Sequence, residues 1–493
     1  MKAKSFRFSL PLSSASSFLF ATTIGLTVGC GSGGGGSSNP GNPSNASSSV
    51  TLMLSSTAND QLSRFDISFA SLTLTNQAGK TVTVFSTPQT AEFIHLNGTS
   101  EPLLTVSVPQ DTYTAATATI GYAQFTCIAL DPSTSGLDIS TFAYGNTPSN
   151  QVTVNLPTPV KIAGTAMGLT LNMQVATSAT YGTCIPAPIN PYAIDPTFNL
   201  TSFDFSSQPA NGSNGLAVGL GGLIASVDGG ANTFTVTAPD GPKWTVKSNG
   251  STTFQGISGL AALTAGMPVN MDAAVQADGS LLASRIAVSD SDTTNLSIVN
   301  GPLINIADSQ PTLNAFTRSD QGFLYTPKAG MGGQYFSFGN AVFQTSGALA
   351  NVQSLPFTAS FTAANMVAGQ NVSITSHATT FSGGPTYVPS TKVTLVPQTI
   401  HGTVTGVATD GSFDTYTVQL APYDLMPALA VQPGQTTLLT NPATVVVYVD
   451  SNTRMHNATA LESGSVMRFY GLLFNDHGTL KLDCAQVNDG VTE

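Results

Sequence analysis

The chain has 493 residues, 41% of them hydrophobic but only 8% charged, with a formal net charge of −11. That length asks for three or four domains, and that much apolar content excludes wholesale disorder. Twenty-six acids against fifteen Lys and Arg, with no basic cluster, exclude nucleic acid and an anionic lipid surface as partners. With so few Glu, Lys and Arg, long helices would lack their usual solvent face, whereas Thr, Val, Ser and Gly suit strands and turns; the composition predicts an all-β protein.

Residues 1–29 read as an export signal peptide. Lys2, Lys4 and Arg7 form a positive front, an apolar stretch runs from about Phe8 to Val28, and small residues end it. A membrane-spanning anchor is the other reading, weakened by Pro11 and the serines between Ser9 and Ser17. The segment Leu26-Thr27-Val28-Gly29-Cys30 resembles the lipobox of bacterial lipoproteins, with Thr27 where Leu is preferred. The resemblance implies cleavage before Cys30, diacylglycerol on its sulfur, acylation of its new amino group and, with Gly31 rather than Asp next, outer-membrane anchoring facing the periplasm or the surface. Residues 30–49 are then the lipidated cysteine and a flexible Gly/Ser/Asn/Pro linker; 31–49 would span roughly 20–25 Å as a coil. Two or three acyl chains, at about 0.8 kcal/mol per buried CH₂, make such an attachment stable.

Residues 50–208 are predicted to form a β-sandwich. Alternation of period two runs through Phe65-Asp66-Ile67-Ser68-Phe69, Leu72-Thr73-Leu74, Val152-Thr153-Val154 and Leu169-Thr170-Leu171-Asn172-Met173. Its parity changes between Phe69 and Leu72, which predicts a bulge. The stretch from Val50 to about Ile120, with Pro109-Gln110-Asp111-Thr112-Tyr113, resembles an immunoglobulin-like or prealbumin-like domain of unknown function that often opens bacterial lipoproteins. Asp111 stands where that family's Pro-x-Gly-x-Tyr segment has Gly. Cys127 and Cys184 fall in this domain, and export favours their pairing as a disulfide; two separate buried thiols are the alternative. Cys484, left over, reads as a small buried apolar residue.

After a linker at 205–215, three segments can be laid over one another: 216–290, 295–397 with an insertion near 325–350, and 399–489. Each opens with a strand (Leu223 to Val227, Leu303 to Ile306, Gly402 to Val407). Each later has a short helical turn ending at a Gly, namely Gly266, Gly369 and Gly464, before a Val re-enters the sheet. Gly222 to Val227, Phe234 to Val236, Leu260 to Val269 and Asp278 to Val288 resemble a small domain of unknown function found in tandem in exported proteins. That resemblance implies OB-like β-barrels, three in a row.

Asp228-Gly229, Asp240-Gly241, Asp278-Gly279 and Asp410-Gly411 read as hairpin turns, and no spacing of Cys, His or acids implies a metal site or a cofactor. Asp290-Ser291-Asp292 reads as a solvated link. His95, between Ile94 and Leu96, reads as a strand residue. There is no Gly-x-Ser-x-Gly elbow. Trp244, the one tryptophan, is a barrel-wall residue or a sugar-stacking contact. The first functional reading is a non-enzymatic envelope lipoprotein, a scaffold or binding module reaching an envelope polysaccharide or protein. A second is a carbohydrate- or peptidoglycan-binding protein using an OB-like face. A third is a hydrolase whose site carries no motif.

Overall fold

The computed structural model describes residues 46–489 apart from 59–61, 132–135, 145–149, 181–192, 206–214, 239–240, 308–309, 314–317, 320–333, 350–351, 378–387, 423, 431–438, 457 and 459–460. The described chain is nearly all β, in several sheets, as its composition requires.

The first body is built on two main sheets. Phe198–Phe203, Ala166–Met173, Ser47–Ser56 and Ser100–Pro109 make one; Leu62–Asn76 and Asp111–Asp131 are the long middle strands of the other. Their inner faces share one core, in which Leu52 and Leu171 from one sheet join Phe65, Phe69 and Phe125 from the other. The alternation at Phe65, Ile67 and Phe69 changes parity before Leu72 and Leu74, all five fully buried, and the pairing with Asp111–Asp131 slips between Phe69 and Ser71. The extra residue lets the strand keep its apolar side inward across the bend. Tyr113 is 1% exposed and donates its hydroxyl to the Pro109 carbonyl at 2.8 Å. Asp111 accepts from Asn76 Nδ2 at 2.7 Å, so it holds the neighbouring turn.

The remaining three segments repeat one topology. In the first, the strands in chain order are Leu216–Asp228, Thr233–Thr237, Lys243–Lys247, Thr253–Gln255, Pro268–Val275 and Leu281–Val288. Side by side they run third, second, first, fifth, sixth, fourth. The last segment, Gln398–Asp410, Phe413–Leu420, Thr444–Val449, Arg454–His456, Val466–Asp476 and Thr479–Asp489, has the same order. So do the corresponding strands of the middle one, Ser297–Ala307, Gln310–Leu313, Gln334–Ser337, Val342–Thr345, Asn371–Ser376 and Lys392–Leu395. In the first and last segments the third and sixth strands pair in parallel and close five strands into a ring, by Val246↔Leu281 and by Val445↔Leu480 onward.

The repeated glycines explain how each segment turns its corner. Gly266, Gly369 and Gly464 have φ of 89°, 93° and 96°, a region open to Gly at no steric cost. Each donates its N–H to the first strand, at Ile224, Leu303 and Val404 respectively, at 2.7–2.8 Å. In return the same three residues donate to the carbonyls of Met267, Gln370 and Ser465. Gly222 and Gly402 form a second matched pair: a Cβ there would lie 2.6 Å from the Thr237 carbonyl oxygen and 2.3 Å from that of Gln419. The two segments carry the same close strand crossing.

The Asp-Gly turns are hairpins at 278–279 and 410–411, with Gly279 and Gly411 at positive φ. Asp228 Oδ1 accepts the N–H groups of Gly230 and Ala231. Asp240 lies outside the described residues.

Candidate functional site

The four bodies enclose between them a cleft of about 640 Å³. Its floor is a sheet face of the middle segment. There Val299, Leu303, Val372, Ile374, Val393 and Leu395 turn into that segment's core, and in a strand the alternate residues must face the other way. On that face lie Asn300, Asn371, Ser373, Lys392 and Thr394, with Ile298 and Pro302 beside them. Register places Asn300 opposite Ser373, Ser373 opposite Thr394 and Thr394 opposite Gln344, a row across four adjacent strands. All four line the cleft. Gln344 Nε2 donates to Thr394 Oγ1 at 3.0 Å. Asn371, half-exposed, stands in the neighbouring rung opposite Pro302.

One wall comes from the first body. The Glu92 carboxylate accepts the N–H groups of Phe65, Ile94 and His95 at 2.9, 2.9 and 3.1 Å. That draws residues Ile94–Leu96 into a 3₁₀ turn. His95 is therefore not in a strand: a single carboxylate binding successive backbone donors winds the chain where Ile94 and Leu96 suggested extension. Its ring is clamped, with Nδ1 2.9 Å from Glu92 and Nε2 3.1 Å from Glu101. The turn ends in Gly98, at φ 74°, which seats against the last ring. The Gly98 carbonyl accepts from Gln486 Nε2 at 2.9 Å and Asn488 Nδ2 at 3.2 Å, and Asn97 accepts from Thr399 Oγ1 and Arg468.

The opposite wall is the first ring. Arg285 is 5% exposed and spreads its guanidinium over Asp272, at 2.6 and 3.0 Å, and Asn270 Oδ1, at 2.6 Å. Gln255 Nε2 donates to the Gly347 carbonyl at 2.9 Å and so joins this ring to the middle segment. The charges at the cleft are thus engaged by neighbours: Arg285 by Asp272, Glu101 by His95, Asp290 by His377, and Lys392 by the Ser289 carbonyl. Besides these groups the cleft presents amides, hydroxyls and backbone together with apolar side chains such as Ile298, Val396 and Met426.

Of the residues singled out from sequence, Cys30 and Cys184 lie outside the described residues, and the backbone of Cys127 belongs to the strand Asp111–Asp131. No disulfide lies among the described residues. Cys484 is buried, donates Sγ–H to the Gln486 carbonyl, and has its pKa pushed up by burial. Trp244 is 4% exposed, packed in the first ring's core with its indole N–H given to the Pro102 carbonyl at 2.8 Å. It is a wall residue that ties two bodies together, and its ring presents no open face for a sugar. Asp290 accepts from the Asp292 N–H and pairs with His377; among the described residues no three His, Cys, Asp or Glu side chains gather around one point. The polar row from Asn300 to Gln344 escaped sequence reading. Its signal was there as Asn371-x-Ser373 and Lys392-x-Thr394, strands whose outward residues are mostly neutral.

Compared with known proteins, residues 221–287 match a family described as a domain of unknown function (DUF5666). The match lies within the first ring, over the strands that carried the resemblance. No curated protein matches the chain.

Proposed function

We propose that the chain is an exported, lipid-anchored bacterial cell-envelope protein, a non-enzymatic scaffold and binding module in which a β-sandwich and successive OB-like barrels share one ligand cleft. The observation that supports binding is the cleft itself, whose walls need residues from all four bodies. Ligand sites favour such junctions between domains. The anchor reading rests on the lipobox-like segment ending in Cys30 and the unstructured composition after it. Two measurements test it. Metabolic labelling with a clickable fatty acid should mark the chain and place it in the outer-membrane fraction, and Cys30→Ser should abolish both. A labelled chain absent from the envelope, or an unlabelled one, refutes the anchor. A second reading, a carbohydrate- or peptidoglycan-associated protein, is favoured by the row of amide and hydroxyl side chains along the cleft floor. A third reading, a hydrolase, would draw on the acids at the cleft, where Glu101 is bonded to His95 and Asp290 to His377.

A further inference from the structure

We infer that the cleft takes an uncharged, hydroxyl-rich chain, a neutral oligosaccharide, laid across the strands of the middle segment along Asn300, Ser373, Thr394 and Gln344. The inference rests on the binding-module reading and supplies its ligand class and its site. Three observations converge. The row is continuous over four adjacent strands, so at about 4.8 Å per strand interval it presents donors and acceptors over roughly 14 Å, the reach of a tri- or tetrasaccharide. Its groups are amides and hydroxyls, which both donate and accept and therefore match sugar hydroxyls in either sense. Two of the surrounding charges are already matched, Arg285 forked onto Asp272 and Asp290 paired with His377, while Lys392 is held by the neutral Ser289 carbonyl. A uronate or sulfate beside Arg285 would have to displace Asp272 to be compensated, whereas the amides and hydroxyls of the row meet a neutral sugar with no such exchange. The floor is also fixed in place: Gln255 ties it to the first ring through Gly347, and Gln370 Nε2 ties it to the last through the Leu473 carbonyl at 2.8 Å.

The test uses the full chain and titration calorimetry. The probes are cello-, malto-, xylo- and chito-oligosaccharides of two to six units, their uronate-containing and sulfated counterparts, and soluble muropeptides. The expected result is binding of a neutral series whose affinity rises with length up to about four units. Asn300→Ala, Ser373→Ala and Gln344→Ala should each weaken it roughly three- to tenfold, the value of one hydrogen bond, with an unchanged thermal transition. Ser373→Asp should abolish it. If neutral binding survives these substitutions at full affinity, the assigned row is wrong. If charged saccharides or muropeptides bind and lose affinity in the same variants while neutral ones do not bind, the ligand class is wrong and the binding module stands. If no probe binds at millimolar concentration, both readings fall.

Discussion

Arg468, 2% exposed in the last ring, donates from Nη1 to Oδ1 of Asn97 in the first body at 2.8 Å, although 371 residues separate them in the chain. The same nitrogen reaches the Ala58 carbonyl at 3.2 Å. One buried cation thus holds two loops of the first body against the protein's other end. Hydrogen bonds from a charged donor contribute about 1.5–3 kcal/mol each. Arg468→Met and Asn97→Ala should each lower the stability seen by urea denaturation and far-UV circular dichroism. The double variant should show a coupling of about 1–3 kcal/mol, as expected for residues in direct contact. Strict additivity would mean that the contact carries no docking energy.

The matched glycines of the first and last rings lead to a second expectation. At Gly222 an added methyl meets the Thr237 carbonyl oxygen at 2.6 Å, and at Gly402 the Gln419 carbonyl oxygen at 2.3 Å. Neither strand can retreat without breaking its ladder. Gly222→Ala and Gly402→Ala should each cost about 1–3 kcal/mol. Trp244, the only tryptophan, sits in the first ring, so its fluorescence should register the Gly222→Ala loss and be far less sensitive to Gly402→Ala.

Cys484 should be chemically silent in the folded protein. It is 2% exposed, its thiol proton is bonded to a carbonyl, and burial disfavours the thiolate that alkylating agents attack. Peptide mapping after iodoacetamide should find it unmodified until denaturant is added. Labelling of the native chain at this position would contradict the packing of the last ring.

The link between the first ring and the middle segment should respond to pH. His377 places Nδ1 2.9 Å from the Thr294 carbonyl and Nε2 3.2 Å from Asp290. Burial works against its charge, but the Thr294 carbonyl and the Asp290 carboxylate outweigh it and raise the pKa above the usual 6.5. A raised folded-state pKa gives stability that is complete below the unfolded value and lost as pH climbs through the folded one. Wild type should therefore exceed His377→Gln in denaturation midpoint at pH 5, and the gap should close above neutrality. A gap independent of pH would assign the residue a packing role only.

Much of this architecture was legible in the residues themselves. Alternation located the strands, and Gly266, Gly369 and Gly464 marked the repeated corner because only Gly enters that φ region freely. His95 misled because three residues of apolar alternation satisfy a turn as well as a strand; the deciding group, the Glu92 carboxylate, acts on backbone N–H donors that leave no mark in a hydropathy pattern. The cleft floor was hidden for another reason. Asn300, Gln344, Ser373 and Thr394 become neighbours only once four strands are in register, and no local period records that. Trp244 could be narrowed to two roles, and the choice between them depended on a carbonyl at Pro102 in another body.

Closing a sheet on itself leaves little of it to share. In the first and last rings the strand outside the closed circuit is three residues long, Thr253–Gln255 and Arg454–His456. An edge that short offers too few free amides and carbonyls to template a strand from a neighbour. Copies crowded onto one surface, or segments multiplied within one chain, can therefore lie against each other without exchanging strands, and each ring added by duplication keeps its own register.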